Sequence, residues 1–552
     1  MNPNRAFLPA ICYLMATSCV PLWAQSPASS PPASQQSTTI QPAVTVEVAK
    51  IAAEPASPLN AATELYRSGK IGEAEAAYRA ILQNDPKSAP AYVGLFRVLL
   101  RQKHLEDAAS AVNKAVELAP NSDAVHTAQG ELHFRQGKIG AAEADFVPLV
   151  KAGTNEARAY LGLAKLYWAA ARYQHGKLMI EKAHDKDPND PDIRKFWLFT
   201  LTRKERIQEL KSYLSNASSD DEDEREHLET NLIEMKEDEE ASSGGCRLVS
   251  SVTETHIPME RLLYGAQRIR GYGLKVQMND VKSSLLLDSG ASGILVSRKV
   301  AARVGIEPLA KSDVHGIGDK GAVSSFIGVV KSIRIGELEF QGCHVEVMDR
   351  NSVADEDGLI GSNVFSHFLV NINFPDAKLD LTALPPLPPP SAVEKALTEK
   401  YPKTARFRDG FVPPEFKNFS QVYRFGHMLL IPTRINELPS KLFLIDTGAF
   451  SDTISPDAAR EVTKVRADSN YKVKGVNGLV NNVFTADDVT LTFSHFRQPA
   501  RDIVAFDTSG MSNSAGTEIS GTLGFSMLYQ MQLKIDYRDD LVDFVYDPNR
   551  FH

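Results

Sequence analysis

Apolar side chains in the first half of the chain recur at helical spacing, for example Leu65, Tyr66, Ala74, Tyr78 and Ile81, which predicts short amphipathic helices. Markers repeat at about 34 residues. Pro86, Pro120 and Pro188 keep that step, with Thr154 at the missing one. Gly69, Lys103, Gly137 and Ala171 keep it too, as do the small residues Ala74, Ala108, Ala142 and Gly176. Small residues let paired helices approach, and proline ends the second helix of each pair. The period predicts four helix-turn-helix units over 55–190, with a capping helix to about 214. Beyond Gly244-Gly245 the texture changes to short β-rich runs between Gly, Asn and Asp turns, which predicts strands. Prolines between Pro385 and Pro390 divide that half into 244–385 and 411–552, with 386–410 as a proline-rich linker.

The helical unit resembles the tetratricopeptide repeat, from which Lys103 and Ala171 depart at the usual turn glycine and Phe96 at a usual small residue. The resemblance implies an array that binds a protein or peptide partner.

The ends and joints of the chain carry weaker signals. Arg5 followed by the apolar stretch from Ala10 to Trp23 reads as an export signal over 1–24, cleaved after Ala24, so the mature protein is expected to be periplasmic or secreted. Lipid anchoring at Cys19 is the alternative, because Ala16-Thr17-Ser18-Cys19 resembles a lipoprotein signal without its leucine. Residues 25–54, rich in Ser, Pro, Ala, Gln and Thr, read as a disordered spacer. Residues 220–240 hold twelve acidic and two basic side chains around Leu228, Leu232 and Met235, and predict an acidic linker helix over 215–243, solvated or serving as a docking tail.

At 552 residues, three or four domains are expected. A formal charge of -8 without a basic stripe argues against nucleic acid as partner. No later segment is long and apolar enough to suggest a membrane span. Cys246 and Cys343, the cysteines outside the leader, could pair or stay as buried thiols. No Cys/His spacing suggests a metal, and no cofactor is expected.

The chemistry rests on an internal duplication. Leu285-Leu286-Leu287-Asp288-Ser289-Gly290-Ala291 is followed by Ile294-Leu295-Val296-Ser297, and Leu442-Phe443-Leu444-Ile445-Asp446-Thr447-Gly448-Ala449 by Thr453-Ile454-Ser455. Gly358-Leu359-Ile360-Gly361 and Gly521-Thr522-Leu523-Gly524 follow at similar distances. One Asp-Ser/Thr-Gly triplet arises by chance in roughly every fourth chain of this length. Two, each after an apolar run and each with the later glycine element, form a specific pattern.

This pattern resembles the aspartic peptidases, and their retropepsin-like branch in particular, because Ala291 and Ala449 follow the glycines. The resemblance implies an all-β two-lobed acid-protease fold behind the all-α solenoid, with Asp288 and Asp446 as the catalytic pair. In it the Ser289 and Thr447 hydroxyls bond across to the opposite loop, and Gly290 and Gly448 let the loops approach. Two carboxylates so close share one proton and titrate as a unit. The ionised one would activate a water and the protonated one would polarise the peptide carbonyl of a polypeptide substrate.

Gly316-Ile317-Gly318-Asp319-Lys320-Gly321 fits a dinucleotide fingerprint, but the β-like Ala322 to Val330 follows it. It and Gly475-Val476-Asn477-Gly478 read as flap tips, with Gly316, Gly318, Gly475 and Gly478 as turn residues. Phe450, Thr522 and the lack of a counterpart to the flap tyrosine depart from the family. A non-catalytic periplasmic peptide-binding scaffold is the second expectation, and a dimer with two symmetric sites the third.

Overall fold

The structure, a computed structural model, describes residues 57–550 except 217–221, 241–245, 265–267, 320, 354 and 469–470. The expected leader and spacer lie outside the described residues.

Helices pair as Pro58–Arg67 with Ile71–Asn84, Ala89–Arg101 with Leu105–Leu118, Asp123–Arg135 with Ile139–Ala152, and Ala157–Ala169 with Tyr173–Lys186. The turn inside each pair needs a left-handed residue: φ is 81° at Gly69, 66° at Lys103, 69° at Gly137 and 56° at Ala171. Glycine meets that need without strain, while Lys103 and Ala171 carry a cost of about 1–2 kcal/mol each. A Cβ at Gly130 or Gly162 would lie 2.6 or 2.2 Å from the Phe146 ring, so these small residues seat the aromatic that joins two pairs. Instead of one capping helix there are two, Pro191–Phe199 and Arg203–Asn216, because the chain breaks at Thr200 and Leu201.

The array closes on itself through charge. Arg158 donates from Nε to Asp190 Oδ2 and from Nη2 to Asp192 Oδ2, both at 2.6 Å. Tyr66, on the first helix, donates to Asp192 at 2.9 Å. A buried guanidinium is tolerated because each hydrogen-bonding edge meets a carboxylate or hydroxyl.

The C-terminal region is mixed rather than all-β, since helices such as Arg298–Val304, Pro456–Arg460 and Ser509–Ala515 sit among the strands. In its first half, strand Val281–Asp288 lies between antiparallel Arg268–Met278 and parallel Gly358–Gly361. In the second, Lys441–Ile445 lies in the same way between Met428–Ile435 and Gly521–Leu523. A third sheet takes strands from both halves: Phe368–Asn373 pairs antiparallel with Met531–Asp536, Ile372 opposite Leu533. Cys246 and Cys343 are joined as a disulfide.

The helical array packs directly on the second half. Met428, Leu430, Leu442, Leu444 and Ile519 share one core with Phe146, Tyr160 and Leu163. Thr517 donates to Phe134 O at 2.7 Å and Gly410 N to Ala171 O at 2.6 Å, so turn edges of the third and fourth pairs make the contact. The segment read as a proline-rich linker continues into a capped helix, Ala392–Lys400, and Gln174 of the fourth pair donates to its Thr398 at 3.0 Å. The acidic helix, Glu222–Glu240, is also packed: Leu228, Leu232 and Met235 join Leu198 and Leu210, and Thr230 Oγ1 donates to Lys311 O at 2.7 Å. Among the described residues no helix is long and apolar enough to cross a membrane.

Candidate active site

Each aspartate stands at the end of a buried apolar strand. Leu285, Leu286 and Leu287 fill the sheet before Asp288, and Leu442 to Ile445 do so before Asp446. The parallel strands Gly358–Gly361 and Gly521–Leu523 lie beside these strands, and Gly524 directly follows the second. A Cβ at Gly361 would fall 2.5 Å from Ala291 O and one at Gly524 2.5 Å from Ser451 O, so only glycine fits.

The two triplets are joined by four hydrogen bonds. Ser289 N donates to Thr447 Oγ1 at 3.0 Å and Thr447 N to Ser289 Oγ at 3.0 Å. The Ser289 hydroxyl donates to Ile445 O at 2.8 Å, and that of Thr447 to Leu287 O at 3.0 Å. Every donor in this reciprocal lattice is satisfied although both side chains are buried. The lattice brings each glycine against the opposite carboxyl: a Cβ at Gly448 would lie 2.4 Å from Asp288 Cγ, and one at Gly290 2.7 Å from Asp446 Cγ.

The carboxyls are hydrogen-bonded to each other and are not equivalent. Asp446 accepts Gly448 N and Ala449 N, both at 2.9 Å, while Asp288 accepts Gly290 N at 2.7 Å. Burial, then the charge of Asp446, holds Asp288 well above the usual carboxylate range. Burial also raises Asp446, with the bonds from Asp288, Ala449 and Gly448 opposing it. Backbone donors reach both carboxyls, and Asp288 is held the higher of the two because the charge of Asp446 and the bond to it both raise it, while that bond lowers Asp446. The pair still titrates as one unit.

The glycine loops read as flap tips cross one another. Asn477 N donates to Ile317 O at 2.9 Å and Asp319 N to Leu479 O at 3.1 Å. Gly318, at φ 134°, and Gly478, at φ 105°, permit the approach. A Cβ at Gly475 would stand 2.2 Å from Ile317 O, and one at Gly316 3.3 Å from Val476 Cβ. The apolar tips are exchanged: Val476 packs with Leu262, Val314 and Met348 of the first half, and Ile317 with Val483, Val504 and Phe506 of the second. After Gly321 the chain enters the long strand Val323–Ile335, not a helix. His315 is exposed.

Sequence reasoning missed three side chains around this site. Asn477 donates to Val314 O at 3.1 Å from a buried position. Arg268 lies with Cζ 4.4 Å from the Phe450 ring centroid, giving that departure from the family a cation–π partner. His427 Nε2 is 3.1 Å from Gly290 O. Each acts through a pairing between the halves, for which neither motif nor spacing gives a signal. Thr522 is buried opposite Thr453 with its hydroxyl unpartnered among the described residues. Among the described residues no group of three or more His, Cys, Asp or Glu is arranged to hold a metal ion.

Residues 274–364 match a family model described as Aspartyl protease. Residues 65–132 and 127–175 match two models described as Tetratricopeptide repeat. A tetratricopeptide-like helical region is therefore followed by an aspartic-protease-like region. The protease match ends before Asp446, so the second triplet rests on the duplication and the geometry. No curated protein matches the chain. Among solved structures, the chain is similar to the aspartic proteinase from Irpex lacteus, at 12% identity and a TM-score of 0.32, over 54% of this chain and 98% of that one.

Proposed function

We propose that this protein is an aspartic endopeptidase whose two lobes, 244–385 and 411–552, build one site within a single chain. The observation that carries the reading is the reciprocal Ser289–Thr447 lattice, which sets Asp288 and Asp446 against each other inside an apolar surround. In the proposed mechanism Asp446, ionised, takes a proton from a water lying between the carboxyls as it attacks the scissile carbonyl. Asp288 gives its proton to the carbonyl oxygen, and the resulting tetrahedral species collapses as a proton passes to the leaving amine. No covalent intermediate forms. The crossed loops at Gly316–Gly318 and Gly475–Gly478 act as paired flaps that part for the substrate.

Two further parts of the reading concern setting. Export to the periplasm or beyond is supported by the Cys246–Cys343 disulfide, since such bonds persist in oxidising compartments. The repeats present a protein or peptide partner to the protease, using surface left by the turn edges that hold the second lobe. The sheet shared by both halves favours the single-chain site over a symmetric dimer. Phe450, a departure from the family pattern, has a partner in Arg268.

The test is degradation of an unfolded protein between pH 3 and 7 by the mature chain. Cleavage blocked by a statine-type inhibitor supports the reading. A folded protein that binds the inhibitor or peptides without cutting them returns the scaffold reading to first place.

A further inference from the structure

One β-hairpin touches both the helical repeats and the candidate site. Its strands, Tyr423–Phe425 and Met428–Ile435, meet at Gly426, φ 64°, and His427. On the side of the repeats, the Phe425 ring lies 5.9 Å from that of Phe134, and Tyr423 packs on the core shared with Tyr160 and Leu163. Arg424 Nε is 3.3 Å from Asp540 Oδ1, and Asp540 Oδ2 accepts the hydroxyl of Tyr173, on the fourth helical pair, at 2.6 Å. Arg424 also donates from Nη1 to Tyr537 O at 2.9 Å.

On the other side, His427 reaches into the opposite half and bonds to Gly290 O. A carbonyl oxygen only accepts, so Nε2 carries the proton in that bond. The N–H of the same glycine is committed to Asp288 Oδ1 at 2.7 Å. The peptide groups before and after Gly290 are therefore both held, one by a carboxyl of the pair and one by His427. With the carbonyl free, that stretch of loop could rotate, and the N–H would lose its aim at Asp288. In the hairpin of the first half, Glu260–Tyr264 with Arg268–Met278, Arg268 meets the side chain of Phe450 across the halves.

We infer that His427 is a positioning residue for the aspartate pair, acting through Gly290, and that the repeats brace the hairpin that holds it. The repeats then have a role at the site itself, besides any partner they bind. The inference rests on Asp288 and Asp446 being a reactive pair, but its first readout does not need turnover.

The experiment uses the full chain as wild type, His427→Ala, His427→Gln, Tyr173→Phe and the Tyr173→Phe/His427→Ala double variant, with thermal unfolding to check the fold. Carboxyl 13C resonances of Asp288 and Asp446 at a fixed pH are the first readout. The second is kcat and KM on a peptide too short to reach the repeats. His427→Ala is expected to displace both resonances and lower kcat about 10- to 100-fold with KM changed by less than about 3-fold. His427→Gln, whose amide can donate to the same carbonyl, restores the resonances and brings kcat within about 5-fold of wild type. Tyr173→Phe lowers kcat by about 3-fold or more, and adds less than its single effect once His427 is Ala.

Unmoved resonances in His427→Ala overturn the inference, whatever the turnover. So does a Gln variant as impaired as Ala, and a fully additive Tyr173→Phe overturns the bracing. Resonances that respond in a protein without turnover sustain the inference and count against the peptidase reading instead.

Discussion

Ser289 and Thr447 each accept the other's backbone N–H at 3.0 Å while donating their hydroxyls to carbonyls at the base of the opposite loop. The hydroxyls thus act as acceptor and donor at once, which only Ser or Thr does at this size. Ser289→Ala leaves the Thr447 N–H and the Ile445 carbonyl without their partner in a buried place, and is expected to cost about 1–3 kcal/mol. Thr447→Ser keeps both bonds and should cost less than about 1.5 kcal/mol, for the lost methyl. Urea unfolding of the two variants checks the order; equal losses would contradict the lattice.

Asp540 links the repeats to the hairpin under His427 and is fully buried. Burial pushes its carboxyl up to about 7, against the pull of Arg424. The sign follows from proton counting: above about pH 4 the unfolded chain has released this proton while the folded chain keeps it. The stabilisation is complete below that pH and fades as pH rises towards about 7. Asp452 and Asp536, each raised to about 6 chiefly by burial, act in the same direction. Asp540→Asn is expected to flatten the decline in stability between pH 4 and 7, measured by thermal unfolding across that range. An unchanged slope would contradict the assignment.

Arg158 bridges Asp190 and Asp192 beside Tyr66, tying the first helix of the array to the ninth. Arg158→Leu leaves the buried Asp190 carboxylate without its cation and is expected to cost about 3–5 kcal/mol. Tyr66→Phe removes two hydrogen bonds, one to Asp192 and one from Arg158, and should cost about 1–3 kcal/mol. Denaturant unfolding followed by Trp168 and Trp197, which lie in the helical array, reads both.

The crossed flap tips are held by backbone bonds and by the buried amide of Asn477 on Val314 O. Asn477→Ala should loosen the crossing without disturbing either core. Amide exchange over 314–319 and 474–481 is expected to speed up about 10-fold, corresponding to about 1.4 kcal/mol of local opening. Exchange confined to wild-type rates would show that the amide does not hold the tips.

The helical period was readable because each turn needs a residue at positive φ and each helix pair needs small residues at its crossing, and both demands recur in the sequence as Gly69, Gly137, Ala74 and Ala142. The triplets were readable for a similar reason: Gly290 and Gly448 stand where any Cβ would strike a carboxyl. What escaped was contact between distant segments. Pro385 to Pro390 suggests a linker by composition, yet the chain beyond it docks on the fourth helical pair through Thr398 and Gly410. The acidic stretch suggests a solvated helix, and its few apolar residues, Leu228, Leu232 and Met235, prove enough to seat it. His427 lies well before the second triplet and serves the first, a relation that appears only when the halves are brought together.

The central claim is that Asp288 and Asp446 form one reactive pair. The most direct measurement is cleavage of a peptide library by the wild-type chain beside Asp288→Asn and Asp446→Asn, across the acidic range. The account predicts that each single substitution lowers kcat/KM by at least about 1,000-fold, because neither carboxyl can replace the pair. Cleavage that persists in either variant would contradict it.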